Sequence, residues 1–214
     1  MRTLAFDGRT GASGDMLLEA LVAAGADPGV LETVEERLDV EYRVGRTTKN
    51  GIEATTVDVV VGDAGDDNAD GNGKRDDHDE EDGHSHEHGD HAEGHGPHRT
   101  YAECVDVVEG MDLPEGVEAD ATAVFRLLGE AEARVHGTDL EETAFHEVGA
   151  DDAIADIVGT ALLLDDLGAD RVVTTPVAAG GGEVSMSHGV YPLQERSAGE
   201  PVVPTAVRSL PRIS

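Results

Sequence analysis

Residues 3–24 read TLAFDGRTGASGDMLLEALVAA, and they decide the fold class. TLAFD, residues 3–7, has the length and apolar content of a short buried strand. GRTGASGD follows, a glycine-rich turn carrying Gly8, Gly11 and Gly14. MLLEALVAAGA then places apolar residues at helical spacing, with Ser13 as its N-cap and Gly25 past its last turn. A strand, a glycine turn and a helix in succession make a chain that mixes both element types.

The same reading extends along the chain. Asp27 is placed to cap a second short helix over residues 28–38, whose Val30, Leu31, Val34 and Leu38 fall at helical spacing. Residues 40–48 and 52–61 read as two strands. Lys49-Asn50-Gly51 joins them, and Asn-Gly is a strong hairpin signal. Helices are predicted over residues 100–109, with Val105, Val107 and Val108 as apolar content, and over 117–136, ending before Gly137. FHEVGADDAIADIVGTALLLDDLG, residues 145–168, reads as a turn and a helix that starts near Asp151 or Asp152 and stops at Gly168. RVVTT, residues 171–175, reads as a strand, and GGGE and VSMSHGVYP follow. No regular alternation of strand and helix appears. The predicted class is therefore mixed α/β (α+β): short strands with packed helices and a long insert.

That insert covers residues 62–99. It is made of Gly, Asp, Glu, His and Asn with almost no apolar side chains. Burial cannot offset its ordering entropy, so disorder is predicted. Residues 1–61 and 100–192 are expected to form one domain around it, with 193–214 as an atypical tail.

Composition narrows the function classes. The 214 residues hold 46 acids and 15 bases, a net charge of −31. A broad basic patch for nucleic acid and docking to an anionic membrane are both excluded. No apolar run approaches a membrane span. Asp7, Asp15 and Glu19 interrupt the apolar N-terminal stretch where a secretory signal would need to be continuous, so a cytoplasmic protein is expected. One cysteine, Cys104, excludes a disulfide framework and a multi-cysteine metal site; it is expected in the core of its helix. Residues 62–99 account for −10 of the charge, and the other 176 residues still carry −21. Only two bases are Lys and there is no Trp. This composition suits a high-salt cytoplasm, where the Debye length is about 3 Å and self-repulsion is screened; an ordinary acidic protein is the plainer alternative.

Three sequence clusters carry candidate chemistry. In the first, a strand ends in Asp7 and the turn Gly11-Ala12-Ser13-Gly14-Asp15 opens a helix. Such a turn presents backbone N–H groups to an anion, and Asp7 and Asp15 could hold an accompanying hard cation such as Mg²⁺. It is neither a Walker A loop nor GxGxxG, and a tight strand-to-helix connection explains it equally. The second is His146, Glu147, Asp152 and Asp156. Imidazole and carboxylates suit a borderline divalent metal, and Asp152 and Asp156 share a helix face at i and i+4. A capped helix with acids at its positive end is the alternative. The third is Gly180-Gly181-Gly182 with His188, where glycines permit close backbone approach to a ligand or form a flexible loop. The insert adds His84, His86 and His88 among seven histidines in 21 residues. Imidazoles at loose spacing suit a nickel, copper or zinc reservoir rather than a fixed catalytic geometry.

Together these stretches resemble one family. FDGRTGASGDMLLEALVAAGAD, AEARVHG, FHEVGADDAIADIVG and TTPVAAGGGEVSMSHGVYP occur in the order found in the LarC nickel-insertion family, and a His-rich insert after the hairpin is similar to that family too. The resemblance covers residues 1 to about 192, apart from the insert. It implies nickel insertion into pyridinium-3,5-bisthiocarboxylic acid mononucleotide, giving the nickel-pincer nucleotide cofactor of lactate racemase. It further implies dependence on CTP with Mn²⁺ or Mg²⁺. By the same resemblance Asp7, Ser13, Gly14, Asp15 and Gly180–Gly182 fall in its motifs and are expected to bind the nucleotide cofactor. His146, Glu147, Asp152, Asp156 and His188 fall in its motifs too and are expected to bind metal, as the insert histidines are from their clustering alone.

The resemblance stops at LQERSAGEPVVPTAVRSLPRIS, residues 193–214. This run has three prolines, three bases and two acids, and it reads as a shifted frame. The family continues with as much chain again, where its CTP–metal site is expected. Three readings follow: a nickel-inserting enzyme represented by its N-terminal half, working with a C-terminal LarC chain; a nickel-binding metallochaperone or reservoir; and an inactive fragment. A homo-oligomer is compatible with each.

Overall fold

The computed structural model describes residues 1–62, 99–145 and 148–178, and the backbone of strands 182–186 and 189–193. The fold is α+β. In chain order the elements are β1 (Thr3–Phe6), α1 (Gly14–Ala23), a 3₁₀ turn (Pro28–Leu31), α2 (Glu32–Glu35), β2 (Val40–Lys49) and β3 (Ile52–Val61). After the insert come α3 (Tyr101–Glu109), α4 (Glu115–His136), a second 3₁₀ turn (Leu140–Glu142), α5 (Asp151–Leu167), β4 (Arg171–Thr174), β5 (Gly182–Met186) and β6 (Gly189–Leu193).

Local chemistry explains most boundaries. Ala24 ends α1, and Gly25 at φ 105° turns the chain out. The amides of Gly25 and Ala26 return to the carbonyls of Val22 and Leu21, a Schellman closure. Asn50 and Gly51, both at positive φ, make the β2–β3 turn, and the antiparallel ladder runs from Lys49–Ile52 to Val40–Val61. Thr100 and Glu103 form a reciprocal capping box at the start of α3. Gly137 and Gly168, both left-handed, end α4 and α5.

Two expectations are corrected. The helix expected over 28–38 is a 3₁₀ turn followed by a single turn of α2. Asp27 does cap it, accepting from the Gly29 amide, but Pro28 and Gly29 tighten the first turn and weaken its propagation. Strand β1, expected to be buried, exposes Thr3 and Ala5 and only half-buries Leu4 and Phe6. Among the described residues its one strand neighbour is β4, paired in parallel from Thr3–Arg171 to Phe6–Thr174. β5 and β6 form a separate antiparallel pair.

Helix α5 is the axis of the packing. Its Ile154, Ala155, Val158 and Leu162 join Val34, Cys104, Val108, Phe125 and Phe145 in one core cluster. Its Leu163 and Leu167 join Leu18, Leu21, Leu31 and Val57 in a second. With six aromatic residues in the chain, Phe125 and Phe145 make one tilted ring pair, centroids 6.3 Å apart, and aliphatic side chains fill the rest. Gly159 lets the neighbours of α5 close in: a Cβ there would stand 2.8 Å from the Tyr42 hydroxyl and 3.1 Å from Leu31. Burial pushes the Cys104 thiol up to about 11, so it is a core residue and no thiolate nucleophile.

Candidate functional site

The site begins where the parallel strands end. Past Phe6 and Thr174 the two chains continue side by side. Thr175 donates its amide to the Phe6 carbonyl at 3.0 Å, and Ala178 donates to the Gly8 carbonyl at 2.9 Å. The Gly8 amide donates to the Thr175 hydroxyl at 2.8 Å. Gly8 is required here, because a Cβ would fall 2.9 Å from a Val177 methyl and 3.1 Å from its Cα. Gly11 donates back to the Gly8 carbonyl at 3.0 Å and sits at φ 95°. The first glycine cluster is thus locked to residues 175–178, which lead directly to the third. The C-terminal ends of parallel strands are where open α/β sheets bind ligands.

The second cluster joins from α5. Gly14, at the N-terminus of α1, abuts Asp156 so closely that an added Cβ would overlap its carboxyl group and lie 2.8 Å from its Cβ. Asp156 is pushed up to about 7, first by burial and then by the charges of Asp15 and Asp152. Glu19, one turn along α1, is raised by burial and by Asp15. Ser13 occupies the N-cap position, but its hydroxyl donates to Asp15 rather than capping a backbone amide. Asp7 lies apart, exposed, held by the Arg9 guanidinium through both carboxylate oxygens. That pairing holds its carboxyl below the usual range.

Beneath the acids, Tyr42 donates its hydroxyl to the Ala155 carbonyl at 2.7 Å. Burial and the charge of Asp156 push this phenol well above its ordinary value, so it stays a neutral donor. Arg99, expected to be disordered as the last residue of the insert, is instead ordered: it donates to the Gly149 carbonyl at 2.9 Å and pairs with Asp151 at 2.7 Å in a largely buried position. The turn before α5 is therefore anchored to the end of the insert. Tyr42, Arg99 and Thr175 were not among the candidates read from the sequence. An alternating strand could have flagged Tyr42 as buried; nothing local marked the other two.

The structure thus brings together Ser13, Gly14, Asp15, Asp152 and Asp156, and seats Asp7 on the adjoining loop. Gly182 opens β5. His146, Glu147, Gly180, Gly181, His188, His84, His86 and His88 lie outside the described residues. Among the described residues no three His, Cys, Asp or Glu side chains close into a group that could hold a metal ion. No helix there is long and apolar enough to cross a membrane.

Comparison with known proteins gives consistent relatives. A pyridinium-3,5-bisthiocarboxylic acid mononucleotide nickel insertion protein of Akkermansia muciniphila is 40% identical over 198 residues, covering 90% of this chain and 43% of the relative. A protein of the same name from Geobacillus kaustophilus is 35% identical over 196 residues, with the same coverage. A protein of Methanococcoides burtonii, also named for nickel insertion, is 37% identical over 194 residues, covering 90% of this chain and 41% of the relative. The chain therefore spans less than half the length of these relatives. No solved structure gives a significant match. The family described as nickel insertion protein matches residues 4–195, from β1 through all three glycine and acid clusters, and the chain belongs to that family.

Proposed function

We propose that this chain takes part in inserting nickel into pyridinium-3,5-bisthiocarboxylic acid mononucleotide, as a nickel chelatase of the lyase class, in a cytoplasmic setting. The relatives from Akkermansia and Geobacillus are named for that reaction. The observation that carries the proposal is the contact between Gly14 and Asp156. It joins the glycine turn of α1 to the acids of α5 at the C-terminal end of the β1–β4 pair.

The chemistry follows from the residue types. The N-terminus of α1 suits the phosphate of a mononucleotide, while the Gly8 and Gly11 amides are spent inside the loop and hold its shape. Among the described residues Asp15, Asp152 and Asp156 do not by themselves close into a metal group; as hard oxygen donors beside that phosphate they are proposed to share a Mg²⁺ or Mn²⁺ whose remaining ligands the nucleotide would supply. When bound, such a cation neutralises phosphate charge. Asp156 itself holds a proton near neutral pH, and the approach of a cation would favour its release. Nickel is the substrate metal. His146, Glu147 and His188 are proposed to receive it, with CTP handled on a C-terminal LarC chain. The product would serve lactate racemase maturation.

The test supplies Ni²⁺, CTP, Mg²⁺ or Mn²⁺ and the mononucleotide to the chain in molar KCl, with and without the C-terminal half of a family member. Mass spectrometry then asks whether the nucleotide has gained nickel. CTP-dependent nickel gain that Asp15→Asn abolishes supports the proposal; no gain in either mixture removes it. The reservoir reading is favoured by the clustering of seven histidines in residues 78–98. It predicts nickel binding that largely disappears when those residues are deleted, with no CTP-dependent turnover. Intact mass from the native host separates a chain near 22.3 kDa from a longer product.

A further inference from the structure

Helix α4 buries one face and leaves another without a partner among the described residues. Val117, Ala121, Phe125 and Gly129 face the core. Val124, Leu127 and Val135 do not: they are 40%, 60% and 79% exposed, and Ala131 beside them is exposed as well. Asp120, Val124, Leu127, Ala131 and Arg134 follow one another at spacings of four, three, four and three residues. That is the spacing of a helix–helix seam, with a β-branched residue and Leu at its centre. An exposed apolar stripe of this kind marks an interaction surface.

The charges at its two ends identify the occupant. Asp120 closes the N-terminal end and Arg134 the C-terminal end, each seven residues from Leu127. The Asp120 carboxyl is raised by burial and by the neighbouring Asp165, so it faces a like charge inside its own chain. Arg134 makes no ion pair among the described residues, whereas Arg126 is taken by Glu130 and His136 by Glu132. We propose that the exposed seam of α4 is a homodimer interface in which two copies pair antiparallel about a two-fold axis at Leu127.

In that arrangement Leu127 meets its own counterpart and Ala123 meets Ala131 of the partner subunit. Asp120 lies opposite Arg134 of the partner subunit, and the pair forms twice, as an isologous contact requires. A parallel pairing sets Asp120 against its own copy and Arg134 against its own copy, so the charges select the antiparallel direction. Small Ala123 and Ala131 let the two backbones approach closely on either side of the axis.

The experiment is sedimentation of the chain over a range of concentrations, at the lowest salt at which circular dichroism shows it folded. The expected result is a concentration-dependent shift from 22.3 kDa to twice that mass. Leu127→Glu is expected to leave only monomer with unchanged circular dichroism, since Leu127 lies outside the core. Asp120→Arg alone and Arg134→Asp alone are each expected to weaken association at least tenfold, and the double swap D120R/R134D to restore it. A monomer at every concentration overturns the proposal, as does a dimer indifferent to Leu127→Glu or a double swap that stays as weak as the single variants. Monomers whose seam becomes protected only on adding the C-terminal half of a family member would assign the surface to that half and overturn the proposal too.

Discussion

Gly14 and Asp156 are 142 positions apart in sequence, yet the α-carbon of the glycine leaves no room for a side chain beside the aspartate. The contact fixes where the N-terminus of α1 lies against α5. It also puts Asp15 close enough to Asp156 to raise it. A helix N-terminus would ordinarily stabilise carboxylates, but here burial and like charge outweigh that help at Asp156.

Gly14→Ala should therefore act on geometry before chemistry. The new Cβ overlaps the Asp156 carboxyl and reaches its Cβ at 2.8 Å, so rotation of the carboxyl alone does not clear it. Overpacking of this sort costs about 1–3 kcal/mol. Denaturant midpoints should fall accordingly, while nickel transfer to the mononucleotide should drop far more than the folded fraction. Unchanged stability and unchanged transfer together would mean that α1 and α5 are not in this contact.

Asp156 predicts a pH dependence with a definite sign. Its carboxyl titrates at about 7 in the folded chain against an ordinary value of 3.8, so between these values the folded chain holds a proton that the unfolded chain has lost. Stability from this group is full below about pH 4, falls as pH rises through 7, and is flat above. The linkage ceiling is about 4 kcal/mol, and solvent screening at a half-buried site reduces the measurable part to roughly 1–2 kcal/mol. Without added metal, Asp156→Asn should be more stable than the parent at pH 8 and should match it near pH 4. Equal gains at both pH values would rule out the protonated carboxyl.

The hairpin and the helix ends were readable because their causes are local. Asn50-Gly51 demands a tight turn, and Gly25, Gly137 and Gly168 stop helices at positions only glycine adopts easily. Helix α5 announced itself through its apolar content and the acids of its first turn. The parallel pairing of β1 with β4 was not readable, since a four-residue strand carries little pattern and its partner lies some 170 residues away. Nor was the meeting of Gly14 with Asp156, although both residues had been singled out separately. Tyr42 and Arg99 act through a single long-range hydrogen bond and ion pair, which leave no trace in local composition. In the 28–38 segment Pro28 and Gly29 outweigh the apolar spacing and break the helix.

The Arg99–Asp151 pair makes a different kind of prediction. The two side chains are 17% and 13% exposed, and Asp151 opens α5. Removing the arginine leaves a mostly buried carboxylate with only the helix N-terminus to support it. The cost for such a broken pair is about 3 kcal/mol. Arg99→Met should lower the unfolding free energy by that amount, and adding Asp151→Asn should recover part of it, because the orphaned charge is then gone. A double variant no better than the single one would show that Arg99 acts through the Gly149 carbonyl instead.

Salt dependence tests the reading of the charge itself. Outside residues 62–99 the chain still carries −21, so the described fold concentrates like charge that unfolding would disperse. Self-repulsion of this kind destabilises the compact state and is screened over about 3 Å at molar salt. The unfolding temperature should therefore climb steeply as KCl is raised to about 1 M, where simple screening is nearly complete. Sucrose at matched osmolality separates the causes, since it strengthens burial without screening charge. Deleting residues 63–98, which spares Arg99, removes −11 of the net charge and should flatten the curve only in part. A curve that sucrose reproduces, or that the deletion abolishes, would assign the salt effect to hydration or to the insert rather than to the acidic surface of the folded domain.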